Sequence, residues 1–135
     1  MPSAGFTHSQ HKQRARSWPR FVGPLDFTLF QKLDHGAIVT ALVGRHCEAT
    51  TYVFGNALIA VEMTRHVARA GLYVPPRLFV EAIDGGRVRI TYDLPSSLMA
   101  AFGSAEVNDV ARGLDEKVKR ILDEAWKVAD QGRRG

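Results

Sequence analysis

Asp34-His35 and Gly55-Asn56 are two places where this chain sets chemistry-bearing side chains at the mouth of a predicted helix. Asp34 is placed to accept hydrogen bonds from the first-turn amides of a helix that opens at His35. The positive end of such a helix disfavours imidazolium. A neutral His35 can then act as a proton acceptor, a hydrogen-bond donor or a metal ligand. Gly55-Asn56 presents backbone N–H groups beyond a strand end, an arrangement that holds carboxylates and phosphates. Both junctions also fit plain capping with a structural histidine, and the sequence leaves these readings open. If the two preceding strands run side by side in the same sense, the helix starts converge on one site. An antiparallel arrangement separates them by the length of the sheet.

Glu81 is the third candidate. Segments 77–83 and 88–92 read as strands joined through Asp84-Gly85-Gly86-Arg87, and Gly-Gly is a strong signal for a two-residue hairpin turn. That turn sets Ile83 opposite Val88, Glu81 opposite Ile90 and Phe79 opposite Tyr92, and opposed residues share a face. Glu81 then stands on an apolar face, where desolvation favours the protonated acid and lets it exchange protons near neutral pH. Tyr92 is expected to share that pocket. A one-residue change of register exposes Glu81 instead.

A fourth group lies on the polar stripe of a helix predicted over 57–70: Glu62, Arg65, His66 and Arg69. Glu62 and His66 stand one turn apart, as metal ligands can, with His35, His46 or Glu81 as a conceivable third ligand. No H-x-x-x-H or H-E-x-x-H pattern supports a metal. The functional reading is substrate contact by Glu62, Arg65 and His66; the plainer one is a surface ion-pair stripe.

The elements that must position these groups follow from periodicity. Alternation from Phe27 predicts a strand with Phe27, Leu29 and Leu33 on one face. A helix from His35 ends at Gly44. Segment 50–54 is β-branched and aromatic, hence a strand, and Asn56 caps a helix that ends at Gly71. A Pro75-Pro76 connector leads into the hairpin. Leu94-Pro95-Ser96 turns the chain into a short helix around 98–102, and a long helix runs from about Ser104 to Ala129. Its stripe is Val107, Val110, Ala111, Leu114, Val118, Ile121, Leu122 and Ala125, with outward pairs Asp115/Lys119, Glu116/Arg120 and Asp123/Lys127. Near the start, Trp18, Phe21, Val22 and Leu25 share one helical face, but Pro19 argues for a helix begun or broken there.

The chain has 135 residues, which suits one domain, expected over 11–130 between flexible ends at 1–10 and 131–135. Cys47 is alone, so no intrachain disulfide forms; a reducing, cytoplasmic setting with a buried thiol is expected. No apolar run approaches the ~20 residues of a membrane span, and no secretory signal is visible. The net charge is +4, and Lys12, Arg14, Arg16 and Arg20, all ahead of the first acid at Asp26, account for it. One short basic stretch without a recognised motif is a weak nucleic-acid signal.

In order, L-D-H-G-A, Y-V-F-G-N-A and P-P-R-L-F-V-E-A-I-D-G-G-R-V-R-I-T-Y-D-L-P-S-S-L resemble the small bacterial domain family DUF302 over roughly residues 25–100. The resemblance implies an α+β fold with a mainly antiparallel sheet, helices packed on it, and often a homodimer. It implies no common reaction. Ala57 stands where the family usually has proline, and Ala60-Val61 where it usually has Gly-Thr.

Besides nucleic-acid binding by the basic stretch, two functions are carried forward. One is a small cofactor-free enzyme of isomerase, cyclase or lyase type, acting on an apolar small molecule with a carbonyl or anionic group. His35 would be its base or acid and Glu81 its partner, with Asp34 beside them. Asn56, Glu62, Arg65, His66 and Tyr92 would hold the substrate. The other is a non-catalytic dimeric module for a small ligand or haem, with His35 or His66 as iron ligand. The first is the expectation, and it requires these groups to meet in one apolar hollow.

Overall fold

A computed structural model of the chain describes residues 27–134, with side chains up to Lys127. The expected helix near Pro19, the basic cluster and the first ten residues lie outside the described residues. Four strands, β1 (Thr28–Asp34), β2 (Ala49–Gly55), β3 (Arg77–Ile83) and β4 (Arg87–Thr91), form an antiparallel sheet in the order β1-β2-β3-β4. Between them run α1 (His35–Val43) and α2 (Ala57–Thr64); after β4 come α3 (Pro95–Met99) and α4 (Ala105–Arg134). This is the α+β fold with a long final helix that the sequence implies.

One sheet face carries the helix layer. Phe27, Phe54 and Leu78 pack there against Met63, Met99, Val107, Ala111, Leu114 and Val118, all buried. The apolar stripe on α4 is what holds that helix to the sheet. The register puts Leu78 with Tyr52, Val80 with Thr50 and Ile90, and Ala82 with Val88 on this side. The opposite face bears Thr51, Phe79 and Thr91 in one row and Ala49, Glu81 and Arg89 in the next.

The structure corrects several expectations. The hairpin loop has three residues, Asp84–Gly86, so Ile83 pairs with Arg87 and Glu81 with Arg89. Gly85 and Gly86 both take positive φ, and Arg87 Nε donates to the Asp84 carbonyl at 2.9 Å, which closes the longer turn. Glu81 therefore leaves the apolar face for the outer one, along with Phe79 and Ile83.

A bulge at Phe30 breaks the alternation of β1: Leu29 pairs with Phe54 on the helix face, whereas Leu33 pairs with Thr51 on the other. The helix expected over 57–70 stops at Thr64. Val67 is extended (φ −135°), and a 3-10 turn, Ala68–Leu72, follows. This kink lets Val67 and Ala70 reach the core and starts the chain back toward β3. Finally, α4 runs past Ala129 to Arg134.

The charges on α4 also pair differently. Asp115 turns inward, accepting from the Ser96 amide (3.0 Å) and the Ser96 hydroxyl (2.5 Å), and so caps α3 from the neighbouring helix. Asp109–Arg112 and Glu124–Lys127 pair on the surface, at i,i+3. Cys47 is free and half-buried rather than buried. No helix among the described residues is long and apolar enough to cross a membrane.

Candidate functional site

The antiparallel pairing of β1 and β2 decides where the two helix starts lie. Asp34 pairs with Thr50 at one end, while Gly55 pairs with Thr28 at the other. At ~3.4 Å per residue the two ends are roughly 20 Å apart. Asp34 and Asn56 do cap: the Asp34 carboxylate accepts from the Ala37 amide at 2.9 Å, and the Asn56 side chain accepts from Leu58 at 2.9 Å. They cap at opposite ends of the sheet, so one shared hollow does not form.

His35 lies exposed over the outer face of the sheet. Its Nε2 is 3.0 Å from the Thr51 hydroxyl, and its ring centroid is 6.3 Å from that of Phe79. Glu81 is two residues further along β3 on the same face, bonded to Arg89 at 3.5 Å. These two candidates thus share a surface rather than a pocket. Tyr92 is half-buried and packs against the core on the other face.

Glu62 and Arg65 pair at 3.8 Å on α2, and His66 sits beyond the helix end. His66 acts electrostatically on Glu106 instead. The Glu106 carboxylate is held below its ordinary value by its own backbone amide, then by the Ser104 hydroxyl, then by the charge of His66. A carboxylate depressed in this way stabilises the fold above its unfolded pKa, and the contribution is lost as pH falls through the folded one. Among the described residues, no group of three or more His, Cys, Asp or Glu side chains is placed to hold a metal ion.

Asp34 and Glu81 line one open recess of about 600 Å³ together with His46, Cys47 and Glu48, without His35 or Asn56. A smaller, apolar cavity lies elsewhere. It measures about 260 Å³ and is walled by α2 (Ala57, Ile59, Ala60, Met63), by Val74, Pro75 and Pro76, and by Phe30 and Leu114. The Val74–Pro75 peptide is cis. Asn56, at the entrance of α2, is the one polar side chain among these lining residues, and none of them is titratable. The β1 bulge turns Phe30 to this side. Gly55 admits the walls closely: a Cβ there would stand 3.1 Å from Pro75 Cβ and 3.5 Å from the Phe30 ring.

Of the expected site residues only Asn56 lines the cavity. Among its other walls, Ile59, Met63 and Leu114 belong to the apolar helix stripes and Pro75 and Pro76 to the connector. The legible signal was the Pro75-Pro76 pair beside small Ala57 and Ala60, since a stiff wall facing small residues leaves space.

A further, shallower recess of about 220 Å³ opens on the outer sheet face, lined by Thr51, Arg77, Phe79, Thr91, Tyr92 and Asp93. Arg77 and Asp93 were not singled out from the sequence. Arg77 opens β3 and Asp93 follows β4, strands whose mutual register is one residue off that of a two-residue loop.

A family model described as "Domain of unknown function DUF302" matches residues 20–125. The crystal structure of an uncharacterized conserved DUF302 protein from Bacillus stearothermophilus is similar, with a TM-score of 0.65 and 13% identity. The match covers 89% of this chain and 91% of that one, and at this identity the likeness is one of fold. No curated protein matches the chain.

Proposed function

The chain belongs to the DUF302 family, and from that premise we propose that it is a non-catalytic module that holds a small apolar molecule between α2 and the Val74–Pro76 connector. One observation carries the reading: a cavity of about 260 Å³ whose lining residues are carbon-rich, with Asn56 as the one polar side chain among them. A cavity of ~150 Å³ lined by aliphatic and aromatic side chains already takes benzene, so this one accommodates a bicyclic aromatic or a short acyl chain. Burial of its apolar surface is the driving term.

Isomerase, cyclase or lyase chemistry needs an acid or base on the bound ligand, and no titratable side chain stands among the lining residues. Haem needs an axial ligand, and no histidine is among them. The homodimer belongs to this proposal too. Its support is the exposed apolar face of α1, with Ile38 58%, Leu42 81% and Val43 71% accessible.

Indole is a suitable probe for the cavity. Titrated into the protein and followed by NMR, it is expected to give saturable shifts centred on Met63 and Ile59. In Ala60→Leu, whose side chain fills the cavity, those shifts are expected to vanish while the melting temperature holds or rises. Equal binding by the variant, or no saturable binding by either protein, would overturn the reading.

A further inference from the structure

The outer sheet face holds a cation and an anion that the fold leaves apart. Arg77 starts β3, and continuing the Phe79–Thr91 pairing by two residues brings Asp93 opposite it. Opposite charges in such positions usually meet across the strands, as Glu81 and Arg89 do at 3.5 Å on the same face. Arg77 and Asp93 do not: among the described residues neither takes part in an ion pair or a side-chain hydrogen bond. Both line the recess of about 220 Å³. Beside them, two residues along the strands, lies the row Thr51, Phe79, Thr91, which supplies an aromatic floor flanked by two hydroxyls. His35, outside the recess lining, lies 3.0 Å from the Thr51 hydroxyl.

Each feature selects a part of a ligand. A guanidinium with free N–H groups takes a carboxylate in a two-pronged hydrogen bond. A carboxylate takes an ammonium group. The Phe79 ring takes an apolar or aromatic body, and the threonine hydroxyls can donate or accept at either end. Together they describe a small zwitterion with a ring. We propose that this recess binds a free amino acid with an aromatic side chain, its carboxylate on Arg77 and its ammonium on Asp93. The site is independent of the apolar cavity and is open to water, so binding is weak and falls with salt.

The test uses the full chain, NMR, and three probes: L-phenylalanine, 3-phenylpropionate (no ammonium) and phenethylamine (no carboxylate). L-phenylalanine is expected to shift the amides of Thr51, Phe79 and Thr91 saturably and to bind more tightly than either half probe. Arg77→Gln should abolish its advantage over phenethylamine and keep its advantage over 3-phenylpropionate. Asp93→Asn should do the reverse. Each variant therefore retains one preference, which reports that it still folds. No saturable shifts, shifts centred on Ala60 and Met63 instead, or preferences unchanged in both variants would overturn the proposal.

Discussion

The two faces of one sheet behave differently. On the helix face, side chains from four elements interlock: Phe54 and Leu78 from the sheet, Met63 from α2, Met99 from α3 and Val107 from α4 are all buried. On the outer face, Thr51 and Phe79 are only half-buried, and Glu81, Arg89, Arg77 and Asp93 reach water. The same strands make both faces, so the difference comes from register and cover, not from the sequence of any one strand. Apolar matching over many residues sets the first face, whereas polar groups arrive on the second as a consequence. A candidate residue on the second face is therefore placed by what its neighbours bury.

Truncation gives the largest contrast. Met99→Ala removes a fully buried side chain and is expected to cost ~2–5 kcal/mol, because a cavity remains. Phe79→Ala on the outer face should cost clearly less than the ~3–5 kcal/mol typical of a buried phenylalanine. Urea unfolding of both variants measures the difference. A Phe79 loss equal to that of Met99 would break the comparison and mean that the outer face is covered in solution.

A smaller effect tests how α1 is held to β2. Gly36 is buried, and a Cβ there would collide with the Cys47 carbonyl oxygen and stand 2.9 Å from the Ala49 amide nitrogen. Those are backbone atoms, so neither can swing away. Gly36→Ala is expected to cost about 1–3 kcal/mol, as overpacking does. Amide exchange should localise the loosening to α1 and the start of β2. An unchanged melting temperature would mean that α1 shifts freely and contributes little.

These effects also explain how much the sequence made legible. The strand and helix order, the caps at Asp34 and Asn56 and the stripe on α4 were readable because each is local or strongly periodic. The DUF302 resemblance was readable because its motifs fall in order, and the family match extends it to residues 20–125. The candidate site was not readable. Whether Asp84-Gly85-Gly86 makes a two- or three-residue loop changes only one turn locally, yet it moves Glu81 to the other face of the sheet. The bulge at Phe30 does the same to Leu33. Parallel or antiparallel pairing of β1 with β2, which decides whether His35 and Asn56 meet, depends on the path of a connection that periodicity does not encode.

The Glu81–Arg89 pair gives the smallest effect and the sharpest test of the outer face. The two groups are 3.5 Å apart, with side-chain exposures of 28% and 60%. A pair this open to water contributes ~0.2–1 kcal/mol and weakens as salt screens it. A double-mutant cycle with Glu81→Gln and Arg89→Gln isolates the coupling from the other effects of each change. Measured by urea unfolding, the coupling is expected below ~1 kcal/mol and to fall as salt is raised from ~0.05 to ~0.5 M. Coupling of several kcal/mol that ignores salt would place the pair under a partner, since desolvation strengthens the attraction and excludes the screening ions together. The outer face would then be an interface, and its recess at Arg77 and Asp93 would be closed to a free amino acid.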